Sequence, residues 1–93
     1  MSGTIEKLVK TIRSRKGNDI KSSYTSFLLS KGNEHCFNKL KEEIVELEGA
    51  IKNKKNTNKV HEAADVLYHL MVLLEANGIK IEDVMDELKK RQK

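Results

Sequence analysis

Five carboxylates in the middle of the chain have a spacing that suits a divalent cation. In Glu42-Glu43-x-x-Glu46 and in Glu62-x-x-Asp65, acidic residues repeat at i, i+3, which places two carboxylates on one face of a helix. Because converging carboxylates repel one another and lose hydration, a hard cation with oxygen ligands relieves both costs. Magnesium is the natural choice, since it keeps positions open for the phosphate oxygens of a substrate.

The two acidic segments lie side by side if their helices form an antiparallel hairpin. The pairs Glu46/Glu62 and Glu43/Asp65 are each symmetric about residue 54. At about 1.5 Å per residue, the members of the inner pair lie roughly 12 Å from that turn and those of the outer pair roughly 16 Å, so partners match in depth. The Glu62/Asp65 side of its helix becomes apolar one turn later, which indicates a partly buried cleft. The alternative is a solvated helix face whose glutamates pair with neighbouring lysines.

Length and composition limit the other functions that this chain could have. A chain of 93 residues, 38% hydrophobic and 34% charged, predicts one domain, residues 1–93, because a second would need roughly 100 more. The apolar run from Leu70 to Leu74 is far shorter than the roughly twenty residues of a membrane span, so we expect a cytoplasmic protein without membrane contact. The chain has 18 basic and 14 acidic residues, so its net charge is only +4, and we expect no nucleic-acid partner.

Helical periodicity dominates the sequence, which contains no proline. We predict five helices, which run from Ile5 to near Gly17, from Ser22 or Ser23 to Gly32, from Asn33 or Glu34 to Asn53, from Thr57 or Asn58 to Asn77, and from Ile81 to beyond Leu88. The fourth helix is apolar on nearly every side, and so short a chain cannot enclose it alone. We therefore expect an all-α fold with a central antiparallel helix hairpin, its bundle completed by dimerisation.

Four short motifs follow one another along the chain. They are Ser23-Tyr24-Thr25, Lys31-Gly32, Lys39-x-x-Glu42-Glu43-x-x-Glu46 and Glu62-Ala63-Ala64-Asp65-x-x-Tyr68-His69, with Arg13-x-Arg15-Lys16 before them. In this order they resemble the phosphoribosyl-ATP pyrophosphohydrolase family of histidine biosynthesis. The acidic core by itself is similar to the wider MazG-type all-α pyrophosphohydrolases. The resemblance is narrowed to the one family by Ser23-Tyr24-Thr25 and by Ala63-Ala64-Asp65-x-x-Tyr68-His69.

The resemblance implies Mg²⁺-dependent hydrolysis of the α–β phosphoanhydride of phosphoribosyl-ATP, which gives phosphoribosyl-AMP and pyrophosphate, by an α-helical homodimer. By matching position, it makes Glu43, Glu46, Glu62 and Asp65 the metal ligands, and Glu42 a further ligand or the group that orients the attacking water. Lys41 departs from the glycine that the family commonly has there, which puts its effect on rate or specificity in question. This departure removes no candidate ligand.

Several basic and hydroxyl residues around the acidic core are candidates for substrate binding. They are Arg13, Arg15, Lys16, Ser23, Tyr24, Lys31, Lys39 and His69. Guanidinium and ammonium groups pair with phosphates, but Arg13, Arg15, Lys16 and Lys31 could instead balance the dipole at a helix C-terminus. Ser23 could be only a helix cap, and His69 a packed residue that lines the cleft. His61, Asp65 and His69 also have a spacing that suits zinc, but the oxygen-rich ligand set favours magnesium.

Two other functions stay open at this stage. A MazG-type nucleoside triphosphate pyrophosphohydrolase would share the metal chemistry and release pyrophosphate from ordinary triphosphates. A non-catalytic helical dimer, acting as an adaptor, would carry the glutamates only as surface charge and gain no stability from Mg²⁺.

Overall fold

The computed structural model describes residues 2–53 and 58–92, and these residues form five α-helices and no strand. The helices are α1 (Ser2–Arg15), α2 (Tyr24–Ser30), α3 (Asn33–Lys52), α4 (Lys59–Ala76) and α5 (Ile81–Arg91). The predicted all-α fold with five helices is therefore confirmed. Among the described residues, no helix is both long enough and apolar enough to cross a membrane.

The helix boundaries follow the capping signals in the sequence. Ser23 is the N-cap of α2, where its hydroxyl accepts the Ser26 backbone N–H at 3.0 Å. Gly17 and Gly32 have positive φ angles of 80° and 89°, which glycine adopts without strain, and each follows the end of a helix. α4 begins directly after Asn58, whereas the predicted turn centre at residue 54 and the alternative cap at residue 57 lie outside the described residues.

One core surrounds the C-terminal half of α4. Its buried members are Val9, Ile12, Leu28, Cys36, Met71, Val72, Leu73 and Ile81. Because successive helical residues point about 100° apart, burial of the three consecutive residues from Met71 means that neighbours cover more than half of the circumference of α4 at this level. Cys36 packs as a small buried residue, and its thiol donates to the Leu28 carbonyl at 3.3 Å.

An ion-pair cluster, here called the Arg13 clamp, joins three helices at the edge of this core. The Arg13 guanidinium on α1 donates to Glu75 on α4 at 3.0 Å and to both carboxylate oxygens of Glu82 on α5, at 2.8 and 2.5 Å. The two bonds to Glu82 have the bidentate geometry that makes arginine–carboxylate pairs strong and directional. The clamp therefore joins the last turn of α1 and the first turn of α5 to the end of α4.

α3 and α4 form the predicted antiparallel hairpin. Glu46 approaches Glu62, while the earlier Glu43 approaches the later His69, so the two helices run in opposite directions. Away from the core, the hairpin is less covered. The exposed apolar side chains on it are Phe37, Ile44, Val45, Ile51, Val60, Leu67 and Leu70. The apolar periodicity of α3 and of the first half of α4 thus exceeds what a single chain buries.

Candidate active site

Three of the predicted metal ligands meet between α3 and α4. Oxygen atoms of Glu43, Glu46 and Glu62 lie within 4.8 Å of one another. The i, i+3 spacing places the first two on one face of α3, and the antiparallel hairpin brings Glu62 to them from α4. Asp65, one turn further along α4, is linked to the group through Glu62, since His61, Glu62 and Asp65 also offer atoms within 4.8 Å of each other. Glu43, Glu46, Glu62 and Asp65 are called the carboxylate cluster below.

Two oxygen atoms of the carboxylate cluster are buried without compensation from the described part of the chain. Glu43 Oε2 and Glu62 Oε2 are buried, and neither has a hydrogen-bond partner among the described residues. A buried carboxylate oxygen without a donor costs free energy that a bound cation would return. The all-oxygen donor set and these two unpartnered atoms fit a hard divalent cation such as Mg²⁺.

The charges of the cluster act on one another. A side-chain hydrogen bond with Glu46, then burial, then the charges of the other carboxylates raise the pKa of Glu43 to about 7. Burial and the charges of Glu46 and Asp65 also raise the pKa of Glu62. Both shifts are typical of carboxylates that lack a cation, because the charged form is the one that burial and like charges disfavour.

Glu42 lies beside the carboxylate cluster and points elsewhere. Its side chain is 62% exposed, and its carboxylate lies 3.6 Å from the Lys39 ammonium one turn earlier on α3. The structure therefore separates Glu42 from the four clustered carboxylates. Its role as a further ligand or as the group that orients water stays a prediction.

His69 is buried directly behind the cluster. It is 6% exposed, and its Nε2 lies 3.7 Å from Glu43 Oε1. Its ring meets Tyr24 and Tyr68 edge to face, at centroid distances of 6.0 and 5.1 Å. Burial lowers the pKa of His69 and so favours the neutral imidazole. His61 instead is a surface residue that pairs with Asp65 at 3.2 Å, so the two histidines face different carboxylates and do not form the zinc site that their spacing allows.

An aromatic row connects α2 to the site. The half-exposed Tyr24 ring lies 6.4 Å from both Phe27 and Tyr68, with 21° between the planes in each pair. The Thr25 and Tyr68 hydroxyls share a short hydrogen bond between α2 and α4. Thr25 and Tyr68 both belong to sequence motifs, but this contact could not be predicted, because a hydroxyl pair separated by 43 residues leaves no local pattern.

The other predicted substrate-binding residues fall into two groups. Lys39 lies near the site, close enough for its charge to act on Tyr24. Burial raises the pKa of Tyr24, and the positive charge of Lys39 partly offsets this rise. The members of the other group have different contacts. Arg13 is in the clamp, Lys16 donates to the Glu75 carbonyl at 3.2 Å, and Arg15 is in the last turn of α1. Lys31 lies 5.6 Å from the Phe27 ring centre, and Ser23 is a helix cap. For all of these residues, contact with substrate stays a prediction.

Comparison with known proteins identifies the class of enzyme that this fold and site represent. A profile of the family described as phosphoribosyl-ATP pyrophosphohydrolase matches residues 5–92. A phosphoribosyl-ATP pyrophosphatase of Rhodobacter capsulatus is 46% identical over 88 residues, which cover 94% of this chain and 84% of the relative. One from Bacillus cereus is 43% identical over 91 residues, which cover 98% and 85%. The chain belongs to the phosphoribosyl-ATP pyrophosphohydrolase family, as its motifs predicted.

Proposed function

We propose that this chain hydrolyses phosphoribosyl-ATP to phosphoribosyl-AMP and pyrophosphate, the second step of histidine biosynthesis, and that it requires Mg²⁺ to do so. The observation that carries the proposal is the carboxylate cluster, in which three acidic side chains from two helices offer oxygens within 4.8 Å of one another. Such a site repels a polyphosphate unless a cation lies between them. The family to which the chain belongs indicates that the substrate is phosphoribosyl-ATP.

Glu43, Glu46, Glu62 and Asp65 would hold the metal ion. Bound there, Mg²⁺ would neutralise charge on the transferring and leaving phosphates. The residues themselves contribute rigidity, because α3 and α4 pack against each other and each ligand pair sits on one helix face. Glu42, exposed and next to the cluster, is the proposed further ligand or the group that orients the attacking water toward the phosphoanhydride.

The rim of the site offers contacts for a nucleotide. The exposed face of Tyr24 can stack against a purine base, as aromatic side chains do with nucleobases. Lys39 places an ammonium group beside the cluster, where it can pair with a phosphate that displaces Glu42. Arg13 and Lys16 would have to leave Glu75 before they could reach a substrate, so we place Tyr24 and Lys39 ahead of them.

The reaction is tested by measuring pyrophosphate release with Mg²⁺ from phosphoribosyl-ATP and from the common nucleoside triphosphates. We expect release from phosphoribosyl-ATP only, and none after chelation of the metal. Release only from ordinary triphosphates would keep the metal chemistry and assign the chain a MazG-type activity. No release from any substrate would favour the non-catalytic adaptor.

We also propose that the active form is a homodimer. A groove of about 370 Å³ between α1, α4 and α5 is lined by Leu67, Leu70, Met85 and Leu88, among other apolar residues. These four side chains are each more than a third exposed in the single chain, as are Phe37, Ile44 and Ile51 on α3. Contiguous apolar surface of this kind marks an interface, and a second copy offers the same surface in return.

The dimer is tested by light scattering at micromolar concentration. We expect twice the chain mass of 10.6 kDa for the parent and a shift toward the monomer for Leu67→Glu. Lys10→Glu, a charge change at an exposed position of α1, is the control and should stay dimeric. A monomeric parent would contradict the proposal.

A further inference from the structure

His69 is a buried polar side chain whose position is fixed by the residues around it. Only 6% of the residue is exposed, and it packs against the rings of Tyr24 on α2 and Tyr68 on α4. Both contacts are edge to face, with interplanar angles of 83° and 80°. Two perpendicular neighbours restrict rotation of the imidazole, so the direction of its ring nitrogens is set by packing.

The fixed imidazole faces Glu43. Its Nε2 lies 3.7 Å from Glu43 Oε1, whereas an N–H···O hydrogen bond is typically about 2.9 Å long. A movement of the Glu43 carboxylate by roughly 0.8 Å would therefore complete the bond. Polar contacts in empty sites are often long and tighten when the site is filled. The other oxygen, Oε2, is buried and has no partner within the described ranges, so it is the atom left for an ion.

We propose that His69 is a positioning residue whose Nε2–H donates to Glu43 Oε1 and so turns Glu43 Oε2 toward a Mg²⁺ ion bound by the carboxylate cluster. The proposal rests on the proposed function, because it needs the cluster to hold the ion. It gives His69 a role exerted through Glu43 in place of direct contact with substrate. Hydrogen bonds to ligating carboxylates orient them, and loss of such a bond typically lowers metal affinity about 10–100-fold.

Two substitutions separate hydrogen bonding from packing. His69→Leu fills a similar volume without a donor, and His69→Gln keeps an amide N–H. We expect His69→Leu to raise the Mg²⁺ dissociation constant, measured by calorimetry, about 10–100-fold and His69→Gln to recover most of that loss. At saturating Mg²⁺, the KM for phosphoribosyl-ATP should stay at the parent value in both variants. Equal Mg²⁺ affinity in the parent and His69→Leu, or equal weakening in both folded variants, would overturn the proposal.

A measurement on the parent protein keeps the test independent of how the variants fold. The ¹⁵N signals of the His69 imidazole report which nitrogen carries the proton. We expect the Nε2–H tautomer, with its proton moving downfield as Mg²⁺ saturates the site. The Nδ1–H tautomer would overturn the proposal. A parent that does not bind Mg²⁺ would remove the metal site itself, whereas binding that is equally tight in His69→Leu would remove only the role of His69.

Discussion

Two groups of glutamates in this chain have opposite electrostatic surroundings. In the Arg13 clamp, hydrogen bonds from the guanidinium hold the pKa of Glu82 at about 2. In the carboxylate cluster, a hydrogen bond with Glu46, burial and neighbouring carboxylates raise the pKa of Glu43 to about 7. The fold supplies a cation where acidic groups join helices. Among the described residues, no donor reaches the buried oxygens Glu43 Oε2 and Glu62 Oε2 of the cluster. This difference indicates that the cluster is the site for an external ion.

Both groups draw on α4, which allows them to be perturbed separately. Glu62 lies near the start of the helix and Glu75 near its end, about 20 Å apart at the rise of an α-helix. Sites at this separation without shared partners usually contribute additively to stability. Substitutions in one group should therefore leave the other intact.

The largest effect is expected from removing one charge of the cluster. Glu62→Gln should lower pyrophosphate release from phosphoribosyl-ATP by at least about 100-fold. Loss of a residue that only supports a metal ligand costs up to about 100-fold, and Glu62 is itself a proposed ligand. The matched control is Glu48→Gln, since Glu48 is an exposed glutamate of α3 that pairs with Lys52 at 3.2 Å. It should keep the parent rate. Retention of activity by Glu62→Gln would contradict the assignment of the cluster.

A second substitution tests the clamp. Arg13→Met leaves Glu75 and Glu82 without their guanidinium, so we expect the midpoint of thermal unfolding to fall by several degrees while Mg²⁺ affinity is unchanged. Arg91→Met removes an exposed pair with Glu87 on one helix, which is worth little, and should barely move the midpoint.

The opposite result would change the role of Arg13. If Arg13→Met kept the parent midpoint and lost pyrophosphate release, the guanidinium would act on substrate phosphates, as its position in the sequence motif first predicted. The contrast between the two glutamate groups would then no longer separate structure from function.

A smaller effect concerns the pH dependence of the cluster without metal. Because the pKa of Glu43 is higher in the folded chain than its ordinary value of 4.5, ionisation lowers stability as pH rises from 4.5 to about 7. In EDTA at pH 8, Glu43→Gln should raise the free energy of unfolding by about 1 kcal/mol after allowance for solvent screening. Chemical denaturation at several pH values should show this gain disappear below pH 4.5.

The clamp should respond to pH with the opposite sign. The pKa of Glu82 lies below its ordinary value of 4.5 in the folded chain, so its contribution is complete above pH 4.5 and is lost as pH falls toward about 2. Glu82→Gln should therefore destabilise the chain at pH 7, and the difference from the parent should shrink in that acidic range. Shifts of the same sign for Glu43→Gln and Glu82→Gln would remove the contrast between the two groups.

Local pattern predicted much of the structure, and long-range contacts explain the rest. Apolar periodicity predicts the five helices, and capping chemistry predicts the Ser23 cap. The symmetry of one hairpin predicts that Glu43, Glu46 and Glu62 meet. The clamp could not be predicted, because Glu82 lies 69 residues from Arg13, and a basic residue at a helix end suits a phosphate equally well.

Periodicity also predicts an apolar face without saying what covers it. Ile81, Met85 and Leu88 have the helical spacing of one face of α5, yet Met85 and Leu88 are more than a third exposed, whereas Ile81 is buried. The predicted dimer would cover the exposed pair, and it stays a prediction. The contact of His69 with Glu43 likewise depends on how far the two helices are apart, which spacing along the sequence does not determine.

The most direct test of the metal site is the effect of Mg²⁺ on thermal unfolding of the parent, Glu62→Gln and Arg13→Met. A ligand that binds only the folded state raises its stability by mass action. We predict that Mg²⁺ raises the midpoint of the parent and of Arg13→Met by the same amount and leaves that of Glu62→Gln unchanged. No shift in the parent, or an equal shift in Glu62→Gln, would contradict a metal site built from the carboxylate cluster.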